Sequence, residues 1–211
     1  MCVCVCMCLT TGCTVNADIS FLLDSSGSIG SDDYRKVKEF AYNFTEGFDI
    51  GPKRNRISVT IYGTAGHVVF GYDEYRNKTS VLEAIDNIPF LDQWTNTPDG
   101  LCKVLNDILP NARLSDSSVF KLVVVMTDGQ SNRNSPECGD IYQAAGALRN
   151  FSQVNSILVY VIGVTNNVNR EELELMATAP EFITHLDSFV SDAELDSTQQ
   201  LQTYELCFTS K

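Results

Sequence analysis

Lys121-Leu122-Val123-Val124-Val125-Met126 is followed directly by Thr127-Asp128-Gly129-Gln130-Ser131. Six largely apolar residues without polar alternation suit a central strand covered on both faces. The abrupt change to small and polar residues marks the end of that strand. A second such run, Ile157-Leu158-Val159-Tyr160-Val161-Ile162, lies beyond a helical stretch at about Asp140 to Phe151. Strand, helix, strand of this kind is the signature of a parallel sheet.

The same two textures extend outward in both directions. Ile19-Ser20-Phe21-Leu22-Leu23 is another short apolar run, ending at Asp24. Ser31 to Phe48 carries Tyr34, Val37, Phe40, Ala41, Phe44 and Phe48 on one helical face, with Ser31 as the expected N-cap and Asp32 and Asp33 in the first turn. Ile57–Tyr62 and His67–Tyr72 flank Gly63-Thr64-Ala65-Gly66, a hairpin signature. Further helices are expected over Ser80 to Ile88, over Asp99 to Leu109 with Pro110 closing it, and over Glu171 to Ala177 with Asn169 as cap. Glu181–Leu186 reads as a last edge strand and Asp192 to Leu206 as a final helix. The expected fold is α/β and doubly wound: a mostly parallel sheet, one antiparallel edge strand, and helices on both faces.

Composition narrows the function. Over 211 residues, 44% are hydrophobic and 20% charged, values of a globular chain. Fifteen Lys plus Arg stand against 27 Asp plus Glu, a net charge of −12. Such a chain repels phosphate backbones and anionic headgroups, so neither nucleic acid nor a membrane surface is an expected partner. No apolar stretch approaches the length of a membrane-spanning helix. The first nine residues are apolar but lack a basic start. Residues 1–12 therefore read as a leader remnant or a wrongly assigned N-terminus outside the fold, residues 13–207 as one domain, and 208–211 as a tail.

The eight cysteines include no Cys-x-x-Cys pair, which disfavours a structural zinc site. Three sequons, at Asn43, Asn77 and Asn150, make these asparagines candidate glycosylation sites. With sparse, widely spaced cysteines they favour a secreted, extracellular context.

In open α/β sheets, ligands bind beyond the carboxyl ends of the strands. Asp24-Ser25-Ser26-Gly27-Ser28 follows the first strand, Thr127-Asp128-Gly129 follows the central one, and Thr95 precedes a helix between them. Two carboxylates and several hydroxyls converging there make an oxygen-rich site for a hard cation, Mg²⁺ or Mn²⁺. The carboxylates are too few to close a cage, so water and an external ligand must complete the octahedron.

Asp-x-Ser-x-Ser after an apolar strand, a threonine ahead of a helix, and Thr-Asp-Gly after a central strand together resemble the von Willebrand factor type A domain. Integrin I domains are similar in pattern. The resemblance runs from about residue 13 to 207 and takes in Ile57–Tyr62, Ile162-Gly163-Val164 and Ala179-Pro180. It implies a metal-ion-dependent adhesion site whose ligand positions are Asp24, Ser26, Ser28, Thr95 and Asp128, all five present here. By the same resemblance, an Asp or Glu of a protein partner (a collagen, another matrix protein or a cell-surface receptor) completes the coordination, and the final helix couples to the site. Some extracellular members close the domain with a disulfide near its ends, which points to Cys13–Cys207. A second bridge, Cys102–Cys138, would lie near the metal face, with two separate thiols as the alternative.

The expected function is a divalent-cation-dependent protein-binding module. The alternative is a structural or assembly module of a larger matrix protein. An intracellular type A domain, as in metal chelatases or copines, fits the sequons and cysteines less well. A hydrolase would need Ser26 as nucleophile with His67 or His185 as base and Asp128 as orienter. No Gly-x-Ser-x-Gly elbow is present, and both histidines fall in strand-like runs, so a non-enzymatic chain is expected. No phosphate-binding Gly-x-x-x-x-Gly-Lys motif occurs.

Overall fold

The computed structural model describes residues 2–5, 16–186 and 206–209. Its strands are β1 (Cys2–Val5), β2 (Asn16–Asp24), β3 (Arg56–Tyr62), β4 (Gly66–Phe70), β5 (Val119–Thr127), β6 (Leu158–Gly163), β7 (Ile183–His185) and β8 (Leu206–Thr209). Its helices are α1 (Gly30–Glu46), α2 (Lys78–Asp86), α3 (Thr97–Lys103), α4 (Ile141–Asn155) and α5 (Arg170–Met176). Six strands form one sheet in the order β4-β3-β2-β5-β6-β7, with β4 antiparallel to β3 and every other pairing parallel. This is the Rossmann-like, doubly wound arrangement expected from the alternating pattern.

The central strands β2 and β5 are buried almost throughout, and so is β3. Two apolar layers result. One packs Phe21, Val59, Val124 and Ile162 against α1 and α2 residues such as Val37 and Ile85. The other packs Leu22, Val123, Val125 and Val161 against Leu101 of α3 and Leu148 of α4. Successive residues of a strand point to opposite faces, so a run apolar at every position feeds both layers at once.

At the edge of the sheet opposite the strands' carboxyl ends, Asp18 is fully buried and bound by two guanidinium groups. Arg56 donates to it from Nε and Nη2 at 2.8 and 2.7 Å, and Arg113 from Nε and Nη2 at 3.0 and 2.6 Å. Burial alone would raise the carboxyl pKa, but the hydrogen bonds from Arg56 and Arg113 hold it below the usual value. The charge is paired and hydrogen-bonded, the condition under which a buried ion is tolerated.

Several boundaries differ from the sequence expectation, each for a local reason. Helix α1 begins at Gly30 rather than after a Ser31 cap; Ile29 is the cap residue and makes no side-chain bond. The chain enters through a turn in which Ile29 N–H donates to Ser26 O, with Gly30 at φ +73°, a conformation glycine adopts without steric cost. The helix expected over Asp99 to Leu109 starts earlier, at Thr97, capped by Asn96 accepting from the Asp99 N–H. It then widens into a π turn at Val104–Ile108 and tightens into a 3₁₀ turn at Leu109–Asn111 around Pro110. Strand β4 stops at Phe70, so Gly71 and Tyr72 leave the hairpin. The last edge strand is only Ile183–His185, preceded by a 3₁₀ turn at Pro180–Phe182. Asn169 does cap α5.

The final helix expected over Asp192 to Leu206 lies outside the described residues, except that Leu206 opens β8. Cys13 lies outside them as well. Strands β1 and β8 pair antiparallel as a separate ribbon, with Cys4 opposite Cys207 in register. Among the described residues no helix is long and apolar enough to cross a membrane.

Candidate metal centre

Strands β2 and β5 run side by side in register, Leu23 opposite Met126, and β3 flanks β2 with Tyr62 opposite Asp24. Asp24 therefore emerges between two hydroxyl-bearing neighbours. Tyr62 OH and Thr127 Oγ1 each donate to Asp24 Oδ2, at 2.9 and 2.8 Å. Tyr62 OH is in turn reached by Thr97 Oγ1 at 3.3 Å, and Thr127 Oγ1 accepts from Gly129 N–H at 3.0 Å. The other oxygen, Oδ1, accepts the Ser26 N–H at 3.0 Å. That last bond is an Asx turn, which bends the chain back and sets Ser26 and Ser28 above the strand end.

Three hydroxyls then line up. Ser26 Oγ lies 3.1 Å from Ser28 Oγ, and Ser28 Oγ lies 3.3 Å from Thr95 Oγ1. Thr95 arrives on a segment clamped to the first turn: Gly27 N–H donates to Gln93 O at 2.8 Å, and Asp92 N–H to Ser25 O at 3.1 Å. On its other side, Thr95 N–H donates to Asn132 Oδ1 at 3.1 Å while Asn132 N–H returns a bond to Thr95 O at 2.9 Å.

Asp128 follows directly on β5. Its Oδ1 accepts the Gln130 N–H at 3.0 Å, but its Oδ2 is buried without a hydrogen-bond partner. A buried carboxylate oxygen left unpaired is costly, and a cation is the natural partner. Burial pushes the Asp24 carboxyl up to about 6; the Ser26 hydrogen bond opposes this and the neighbouring Asp128 charge adds to it. Two buried carboxylates here repel each other and favour a positive charge between them. Three hydroxyl oxygens and one free carboxylate oxygen, all hard donors, suit a small divalent cation rather than a soft one. Of the five residues expected from the sequence, the structure joins Ser26, Ser28 and Thr95 in one row of hydroxyls, ties Asp24 to the turn that carries the serines, and sets Asp128 near enough for its charge to act on Asp24.

Two residues near the site, Tyr62 and Glu172, carry no such signal in the sequence, whereas Gly129 stands in the expected turn after Asp128. Tyr62 was read only as a strand residue. Glu172, on α5, is buried and its carboxylate accepts the Ser131 N–H at 3.2 Å through both oxygens. Burial pushes it up to about 7, with the charges of Asp128 and Asp24 contributing and the Ser131 bond opposing. Gly129, at φ +70°, lies where a side chain would strike Leu173 and the Asn169 carbonyl, so α5 can close directly onto the turn after Asp128.

Cys102 of α3 and Cys138 form a disulfide across 36 positions. It joins the loop that follows Asp128 to the helix that follows Thr95. Beside it, Ser135 Oγ donates to Asp99 Oδ1 at 2.8 Å. The three sequon asparagines, Asn43, Asn77 and Asn150, are exposed; Asn77 also caps α2 through the Ser80 N–H. His67 is exposed on β4, and His185 Nε2 lies 2.6 Å from the Thr165 carbonyl.

The von Willebrand factor type A domain model matches residues 18–203. Vitrin of Homo sapiens is 30% identical over 168 residues, which span 80% of this chain and 23% of vitrin. The collagen alpha-1(XX) chain of Mus musculus is 30% identical over 191 residues, or 90% of this chain and 14% of the collagen. The chain thus spans less than a quarter of either relative's length. Among solved structures, proximal thread matrix protein 1 from the mussel byssus superposes with a TM-score of 0.74 at 21% identity, covering 100% of this chain and 51% of that one. A second structure of the same protein, described with a zinc-occupied MIDAS motif, gives 0.71 at 20% identity and covers 99% and 50%. At these identities the structural likeness speaks for the fold.

Proposed function

The chain belongs to the von Willebrand factor type A domain family, and from that premise we propose that it is an extracellular, divalent-cation-dependent module for binding protein ligands. The observation that carries this reading is the unpartnered, buried Oδ2 of Asp128, whose charge acts on Asp24, the residue that fixes the turn carrying the Ser26–Ser28–Thr95 row of hydroxyls.

Ser26, Ser28 and Thr95 would hold the cation, Mg²⁺ or Mn²⁺, with Asp128 close by through its free oxygen. Such a cation supplies an electrophilic position that a carboxylate of a partner protein can occupy. Asp24 has both oxygens engaged by the protein, so its part is to fix the turn that carries the serines and to contribute charge. Tyr62 and Thr127 hold Asp24 in one orientation. Glu172 and the disulfide fix the loop after Asp128, so the donors are positioned before any ligand arrives. Because few carboxylates face the site, the charge of the cation is incompletely neutralised, which favours an anionic ligand. Relatives that include a collagen, and a fold shared with a thread matrix protein, support a matrix setting and a protein partner.

Calorimetry with Mg²⁺ and Mn²⁺ on the whole chain beside Asp128→Ala tests the reading. Saturable binding by the wild type that the variant loses supports it and calls for a cation-dependent screen against matrix proteins. A folded wild type that binds neither ion would leave a structural module of a larger assembly.

A further inference from the structure

The chain contains a single tryptophan, Trp94, immediately before Thr95. It is 58% exposed, unlike the buried Thr95 beside it. The Arg133 guanidinium lies over its ring, 4.6 Å from the centroid. The two side chains are presented by backbones that are locked together. Thr95 and Asn132 exchange the two hydrogen bonds already described, and Asn96 Nδ2 donates to Asn134 O at 3.2 Å. Residues 94–96 and 132–134 thus form one clasp, and the Cys102–Cys138 bridge closes the loop beyond it.

Arg133 takes part in none of the ion pairs among the described residues. In a chain of net charge −12, a cation on the rim of the candidate site without a carboxylate partner is out of keeping with its surroundings. A guanidinium held over an aromatic ring keeps N–H groups available for hydrogen bonds with a carboxylate. Stacking also fixes part of the side chain in advance, reducing the ordering cost of binding.

We propose that Trp94 and Arg133 form a second acceptor point for the ligand, so that the preferred protein partner presents two acidic side chains close in sequence, one for the cation and one for Arg133. The proposal rests on the cation-dependent reading above. A neutral rim would accept any carboxylate-bearing segment; this rim selects acidic pairs.

The test uses the whole chain and three blocked synthetic peptides: Gly-Glu-Gly, Gly-Glu-Gly-Glu-Gly and Gly-Glu-Gly-Pro-Gly. Mg²⁺ binding is measured by calorimetry and peptide binding by Trp94 emission, a local reporter because the chain has no other tryptophan. In Mg²⁺ the two-glutamate peptide is expected to bind at least about threefold tighter than the other two, with the advantage shrinking as salt rises, as for a partly exposed ion pair. Arg133→Gln should remove that advantage and leave Mg²⁺ affinity unchanged. Equal binding of all three peptides, no effect of Arg133→Gln, or Mg²⁺ binding without any peptide binding each overturns the proposal while leaving the cation site intact. Preference for the proline peptide overturns it in favour of an apolar role for Trp94. Absence of Mg²⁺ binding by the wild type sinks the cation reading itself and the proposal with it.

Discussion

Asp24 and Asp128 are both fully buried at adjacent strand ends, yet Asp24 has both carboxylate oxygens hydrogen-bonded and Asp128 only one. The asymmetry divides their work: one builds the turn, the other keeps a buried oxygen without a hydrogen-bond partner, the oxygen that the proposed cation would meet. Without a cation, Asp128 is a liability, because its charge is buried, repelled by Asp24 and short of one partner. Asp128→Asn should therefore raise the melting temperature of the cation-free domain by about 2–4 °C, the shift that about 1 kcal/mol gives at this size. It should also abolish the rise in melting temperature that Mg²⁺ gives the wild type, a gain of about 2.7 kcal/mol at a hundredfold excess over Kd. Thermal scans with and without Mg²⁺ check both halves; a variant that is less stable without cation and still responds to Mg²⁺ contradicts this division.

Glu172 gives the cation-free domain a pH dependence with a definite sign. Its carboxyl is raised from an ordinary 4.5 to about 7, so between those values the folded state holds a proton that the unfolded state has lost. Stability from this group is fully present below about 4.5 and falls as pH rises through about 7. The charged groups acting on it are Asp128 and Asp24 at the strand ends. Glu172→Gln, which cannot ionise, should flatten the decline between pH 5 and 8 in chelator. Denaturant titrations at several pH values decide this, and parallel profiles for the two proteins would contradict it.

Tyr62 supports the site without facing it. Tyr62→Phe leaves Asp24 Oδ2 with the Thr127 hydroxyl alone. The expected loss is about 1–2 kcal/mol of stability. Mg²⁺ affinity should also fall by about tenfold, as for partners that orient metal ligands. Calorimetry beside chemical denaturation separates these effects; unchanged affinity at reduced stability would confine Tyr62 to packing.

The Cys102–Cys138 bridge closes a 36-position segment. Chain-entropy reasoning values such a closure at about 4 kcal/mol. The double substitution Cys102→Ser, Cys138→Ser should destabilise the domain by up to that amount and weaken Mg²⁺ binding, since the loop beyond Asp128 loses one anchor. Mass spectrometry after non-reducing digestion tests the pairing directly, and recovery of either cysteine as a free thiol rules it out.

The sheet was legible because β5 and β6 are apolar at nearly every position and the helices keep one face, as in Val37 and Ala41 of α1. The candidate site residues were legible because each follows a strand or precedes a helix, where side chains leave the packed layers. Glu172 was hidden by its own context. It stands three residues after Asn169, a spacing that suggests an ordinary helix cap, and Asn169 Oδ1 does accept the Glu172 N–H at 3.4 Å. Its carboxylate, however, reaches Ser131, a contact across 41 positions that no local pattern records. Ser31 misled for the opposite reason: a serine before an acidic first turn is a good cap, but a turn through Gly30 had already delivered the chain into the helix. Trp94 could be placed on neither core nor rim from sequence, because a lone aromatic carries no periodicity.

The bond from Thr127 to Asp24 joins positions 103 apart, and it exists only where β2 and β5 have paired. The Thr127 bond that holds Asp24 therefore cannot form until β5 has been made and has paired with β2 in the middle of the sheet. An ion that binds the candidate site would draw the population toward the state in which these two strands have paired. A response to Mg²⁺ would then report that the middle of the sheet has closed, and a chain in which β2 and β5 had failed to pair would be recognised by its lack of response well before any partner is offered.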